Sequence, residues 1–165
     1  MAEILEQEVK VYQFMQGYGE MLLADIPDDG AFKLICDGGV HPAWIIGHLG
    51  FVANRVLAMC GGEAKIDTEG WKPLFGGGST PTSDPGAYPK WNELIDIWKQ
   101  GHADVVALVP AMTDESLSQP NPNDRMREAL PTVGDFLSFV LTGHEAMHLG
   151  QLSTWRRVQG RPPLF

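Results

Sequence analysis

The sequence predicts an all-α protein, a four-helix bundle with a long connection between the second and third helices. Three observations predict it. Apolar residues recur at helical spacing in four stretches, no stretch alternates at the two-residue period of a strand, and glycine and proline gather between the stretches. The chain has 165 residues, 44% hydrophobic and 20% charged, which is enough to bury a core without disulfides. It reads as one domain over residues 1–165.

The first helix is expected over about Ala2 to Asp25, where Ile4, Leu5, Val11, Tyr12, Met15, Tyr18 and Leu22 fall on one broad face. Pro27 and the Asp28-Asp29-Gly30 cluster end it, and Ala31 to Ile35 can make a further helical turn. The second helix starts at Pro42, a residue suited to a first turn, and runs to Met59. Ile45, His48, Val52 and Met59 form its inner stripe, with Trp44 and Phe51 beside it, and Gly61-Gly62 stops it. From 61 to 88, Pro73, Gly76-Gly77-Gly78, Pro81 and Pro85 rule out a long helix. A connection of that length suits a crossover along a bundle and is often functional.

The third helix is expected from Lys90 to Val109, with Trp91, Leu94, Ile95, Trp98, Val105 and Leu108 as its apolar residues and Pro110 at its end. A second loop, with Pro120, Pro122 and Pro131, leads to the last helix. There Thr132-Val133-Gly134-Asp135 resembles a capping box, with Asp in place of Glu or Gln. Val133, Leu137, Val140, His144, His148, Gln151, Trp155 and Val158 then form one stripe at the spacing of a buried helix face. Gly160 and Pro162 close it.

The formal net charge is -9, and the basic residues form only small groups at Arg125–Arg127 and Arg156–Arg157. That balance disfavours a phosphate backbone or an anionic lipid surface as partner. The N-terminal MAEILEQEVK lacks the pattern of a signal peptide, and no apolar run approaches the ~20 residues that span a bilayer, so a cytoplasmic location is expected. Cys36 and Cys60 are too few for a disulfide framework and belong to no Cys-x-x-Cys pair, which leaves them as small buried or half-buried thiols.

His144 and His148 stand four apart on the core stripe and can reach one metal ion from one helix face. Burying two unpaired rings costs free energy, which a metal offsets by taking one nitrogen of each. The pair alone also fits two satisfied core histidines. His48, on the inner face of another helix, offers a third ligand, and three histidines leave an open coordination position. His41 reads as an exposed loop residue and His102, beside Gly101, as surface or rim.

Two sharper motifs overlap here. His144-Glu145-Ala146-Met147-His148 matches the H-E-x-x-H of zinc proteases, whose glutamate is a general base. Gln151 and Thr154 stand where the extended form of that motif needs Gly and His, and the chain has no strand to align a peptide. Glu145 and His148 also fit the E-x-x-H of di-iron bundles, but no second copy exists.

Trp44-Ile45-Ile46-Gly47-His48-Leu49, followed about a hundred residues later by His144-Glu145-Ala146-Met147-His148-Leu149-Gly150-Gln151-Leu152, resembles the DinB/YfiT-like superfamily. The closing Arg156-Arg157-Val158-Gln159-Gly160-Arg161-Pro162-Pro163 is similar to that family's C-terminal signature. The resemblance implies a four-helix bundle and a divalent ion, nickel or zinc, on His48, His144 and His148. Some members of the superfamily are transferases or isomerases that use a low-molecular-weight thiol such as bacillithiol or mycothiol, and many have no known activity; the resemblance therefore points to thiol-dependent transfer or related chemistry on a small-molecule substrate. Metal-dependent hydrolysis and a metal that only locks a binding protein are the competing expectations. Around the ligands, Trp44 can wall the pocket, Gln151 can hydrogen-bond a metal-bound water or substrate, Glu145 points away from the metal, and Glu8 is a weak candidate for an outer contact. A homodimer is expected through apolar residues of the first and third helices, with Trp91 and Trp98 left partly exposed.

Overall fold

The computed structural model describes residues 2–164, and side chains from Leu5 onward. Ile4, placed on the first apolar face by its spacing, lies outside the described side chains. The fold is all-helical. Its elements are α1 (Ala2–Leu23), α2 (Pro42–Met59), α3 (Thr68–Phe75), α4 (Trp91–Leu108), α5 (Asp114–Leu117), α6 (Val133–Phe139), a π-helical turn (Val140–His144) and α7 (Glu145–Val158). Short 3-10 turns stand at Pro85–Ala87 and Val109–Ala111. Among the described residues the only β-type pairing is one isolated bridge between Pro120 and Thr132. No described helix is long and apolar enough to cross a membrane.

The local chemistry of the ends sets these elements. His41 caps α2, its ring Nδ1 accepting from the Trp44 N–H at 3.0 Å, and Pro42 takes the first turn. Gly61, at φ 83°, provides the left-handed residue that ends α2. Thr132 and Asp135 form the capping box: Thr132 Oγ1 accepts from the Asp135 N–H at 3.1 Å, and the Asp135 carboxylate accepts from the Thr132 N–H at 2.9 Å. The further helical turn expected over Ala31 to Ile35 is not formed: residues 28–32 make a turn and 33–34 have no regular structure. The segment from 61 to 88 contains a short helix, α3, opened by the Asp67 side chain accepting from the Gly70 N–H at 3.1 Å.

Helix α2 is the centre of the packing. It is buried without a break from Pro42 to Phe51 and meets α3, α4 and α7. One cluster of buried residues joins Leu22, Ile45, Leu49, Phe75, Leu94, Trp98, Leu152 and Trp155; a second joins Leu5, Val9, Tyr12, Val56, Val105, Leu137 and Leu141. The far end of α7 is tied to α1 by polar contacts. Arg156, 2% exposed, donates to the Leu22 carbonyl at 3.0 Å and pairs with Asp25, and Trp155 donates to the Lys33 carbonyl at 2.6 Å.

Three faces differ from the sequence expectation. The buried stripe of α1 runs through Leu5, Val9, Tyr12 and Leu22, which leaves Val11 45% exposed. Trp91 and Trp98 are not partly exposed but buried, at 4% and 0%, because α2 and α1 cover α4. The last stripe holds at His148 and Trp155, both buried, but Gln151 and Val158 point outward. The cause is the π turn: it inserts about one extra residue per turn, so the buried face is displaced to take in Glu145, Leu149, Leu152 and Arg156 beside His148 and Trp155.

Gly47 is required by a close approach. A Cβ there would stand 2.1 Å from Phe75 Cε1, and Phe75, which ends α3, is fully buried and has little room to give. Gly47→Ala is therefore expected to lower unfolding stability in urea by about 1–3 kcal/mol through overpacking. An unchanged midpoint would show that α3 moves freely on α2.

Candidate metal centre

Helix α2 brings His48, and the π turn with α7 brings His144 and His148, to one place. One ligand atom from each lies within 4.8 Å of the others, and ring centroids stand 4.5–5.1 Å apart. His48 Nε2 and His144 Nε2 face each other at 3.0 Å. With metal–nitrogen bonds of about 2.0–2.1 Å, two nitrogens on one ion stand ~2.9–3.4 Å apart, a range that includes this separation.

The outward nitrogens fix the tautomers. His48 Nδ1 lies 2.6 Å from the Phe75 carbonyl oxygen, which only accepts, so Nδ1 carries the proton and Nε2 the lone pair. His148 Nδ1 likewise donates to Gln151 Oε1 at 2.9 Å, leaving its Nε2 free. His144 Nδ1 is buried without a partner. Two lone pairs thus converge beside a third ring whose only near polar contact is another ring nitrogen. A divalent ion would resolve this crowding by taking one nitrogen from each ring, and three neutral imidazoles are a donor set that would suit such an ion. An acceptor on the far side of the ring, as His48 and His148 have, is the arrangement that orients metal-binding histidines generally.

Burial keeps the rings neutral. His144 is pushed down to about 3 and His148 to about 4, by burial first and by the neighbouring rings next; His48 is lowered by burial against the opposing pull of the Phe75 carbonyl. Neutral rings are the form that ligates.

Trp44 walls the cluster. Its ring stacks on His48 at 4.9 Å and 7°, and its Nε1 donates to the Leu74 carbonyl at 3.0 Å and Ser79 Oγ at 2.9 Å. Trp44 and His48 together therefore pin the segment from Leu74 to Ser79 over α2. Phe139 meets His144 edge-on at 5.8 Å. Gln151, expected to face a bound water or substrate, instead holds the far side of His148.

Two histidines depart from expectation. His41 is not an exposed loop residue but fully buried, between its cap bond to Trp44 and the Thr82 carbonyl at 3.0 Å, and burial pushes it down to about 4. His102 is not at the surface either. It is 0% exposed and meets Glu145 Oε1 at 3.0 Å, with Tyr12 stacked on it at 3.7 Å and 9°. Glu145 does point away from the cluster, but into the core rather than to solvent. The sequence carried a signal for His102, which continues the spacing of Leu94, Trp98 and Val105. Glu8 accepts from Ser138 Oγ at 2.6 Å and makes no contact with the cluster. Cys36 is exposed rather than buried, and the half-buried Cys60 thiol is pushed up to about 11 by burial. Cys60 follows His48 by twelve residues, about 18 Å along the helix, so no protein thiolate stands at the cluster.

A helical fold with three converging imidazoles, two buried and one half-buried, defines a class of proteins able to bind a metal in the helix core. The family profile described as the DinB superfamily matches residues 13–152, which include all three histidines, and the chain belongs to that superfamily. No curated protein matches the sequence.

Acid should destabilise the metal-free protein in a defined window. In the unfolded chain the histidines take up protons near 6.5, whereas in the fold His41 and His148 do so near 4 and His144 near 3. Between those values the unfolded state binds more protons, so their contribution is full above 6.5 and is lost as pH falls. The urea midpoint is expected to hold above pH 6.5 and decline towards 4. His41→Asn, which keeps a capping acceptor, should flatten the decline. A midpoint flat throughout that interval would mean that the rings protonate within the fold.

Proposed function

We propose that the protein is a metal-dependent enzyme in which His48, His144 and His148 hold one nickel or zinc ion through Nε2, with a small thiol as cosubstrate and a small electrophile as substrate. The observation that carries this reading is the tautomer arrangement: the Phe75 carbonyl and Gln151 hold the Nδ1 protons outward, so that lone pairs face inward. An ion on three such ligands keeps an open position and favours a bound thiol as the nucleophilic thiolate at neutral pH, where a free thiol with pKa about 8.5 is mostly protonated.

The chain's own residues supply the surroundings. Trp44 offers an apolar wall and excludes water from one side of the cluster. The Leu74–Ser79 segment, fixed to Trp44 and His48, stands where it can select the electrophile. Glu145, the general base in a protease reading of H-E-x-x-H, is turned to His102, which argues against peptide hydrolysis. In architecture, we propose that α1, α2, α4 and the α6–α7 rod act as a four-helix bundle, with the 61–88 segment crossing between the second and third of its members. A homodimer is part of the proposal, now through α1, whose exposed Val11, Phe14 and Met21 share a face. Light scattering at micromolar concentration should give twice the chain mass; the mass of one chain would remove that part.

About one divalent ion should bind per chain, and His148→Ala should abolish binding, because the remaining pair loses the third nitrogen. In cobalt-substituted protein a small thiol should change the visible spectrum, and conjugation of that thiol to an electrophile should need all three histidines. Hydrolysis without any thiol, with the spectrum unmoved, would replace the transferase by a hydrolase. Metal binding with neither activity would leave a metal-stabilised binding protein.

A further inference from the structure

Among the described residues Glu145 alone of the carboxylates is buried, at 2% exposure. It follows His144 directly, stands three residues before His148, and is turned into the core towards α4. Its Oε1 accepts from His102 Nε2 at 3.0 Å and from Trp98 Nε1 at 3.4 Å. Tyr12 of α1 covers His102 by stacking. One oxygen of one side chain thus joins the metal-bearing helix to α4, and a residue of α1 closes the contact.

A buried polar pair of this kind is weak support for stability, because apolar residues of the same shape often serve as well or better. Its better attested use is to fix register. Register is the property this helix lacks, for the turn at Val140–His144 closes on the wider π hydrogen-bond pattern inside an otherwise α-helical rod. Reverting that turn to α geometry would rotate everything after it by roughly 100°. His144 stands at the end of the π turn and His148 a turn later, so such a rotation would alter how both rings meet His48. Glu145 would leave the core in the same movement.

We propose that Glu145, through its buried hydrogen bonds with His102 and Trp98, is a positioning residue that holds the π register and thereby turns His144 and His148 towards His48. The proposal rests on the metal-centre reading, and the two fail differently. Zinc affinity is measured on the full chain by competition with a chromophoric chelator, beside thermal melting and circular dichroism. The double variant Glu145→Leu/His102→Leu removes the close pair together and leaves only the Trp98 N–H, at 3.4 Å the longer contact, without its acceptor, so it should keep its helicity and melt close to wild type. It should bind zinc at least about tenfold more weakly, the loss typical when the support of a metal ligand is removed. Glu145→Gln keeps the acceptor and should remain within about threefold of wild type.

A folded double variant with wild-type zinc affinity overturns the positioning role and leaves the metal centre standing. Wild-type protein that binds no zinc overturns both. Should the double variant not fold, His102→Asn is the milder test. Zinc binding weakened about threefold or more with unchanged helicity supports the role, and wild-type affinity overturns it.

Discussion

Three neutral imidazoles with nitrogens turned towards one another cannot all satisfy each other, and much of the molecule is arranged around that constraint. One ring nitrogen can donate to another, as the 3.0 Å separation of His48 and His144 allows, but the third ring is then left out and His144 Nδ1 stays bare. Buried polar atoms without partners are costly, so the surroundings must hold the rings there by other means. The Phe75 carbonyl and Gln151 do so from the back, Trp44 by stacking, and α2 by being buried along nearly its whole first half.

The same constraint explains why a short helix sits in a segment rich in glycine and proline. Its end must deliver one carbonyl to His48 and a second, from Leu74, to Trp44. The absence of a side chain at Gly47 allows Phe75 to lie flat against α2 for that purpose. Packing and ligand orientation are therefore one arrangement here, since the ring that fills the core belongs to the residue whose backbone aims the imidazole.

Much of this was legible in the sequence. The first-turn Pro42, the cap at Thr132, the stops at Gly61 and Gly160, and the helical periods follow from local chemistry that tertiary contacts do not override. The three clustered histidines were readable because each sits on an apolar stripe where a polar ring needs a reason. What could not be read has two physical sources. A π turn has no signature in a pattern judged at 3.6 residues per turn, so the outward turn of Gln151 and Val158 and the burial of Glu145 were beyond a period argument. His102 was misplaced because Gly101 beside it resembles a helix edge; in the fold that glycine is buried, and a Cβ on it would stand 2.9 Å from Ala53 Cβ, so it marks the close approach of α4 to α2. His41 reads as a loop residue in the sequence because the connection that buries it, through Thr82, lies forty-one positions away.

The π turn also bears on how this helix is compared with others. Residues before Val140 and after His144 belong to two different helical frames, one displaced from the other by about a residue. A relative with an unbroken α-helix across this stretch would match both halves only if a one-residue gap were placed inside the turn. Aligned without the gap, its core positions would fall opposite Gln151 and Val158, and its histidines would be counted as missing when they had only moved by one.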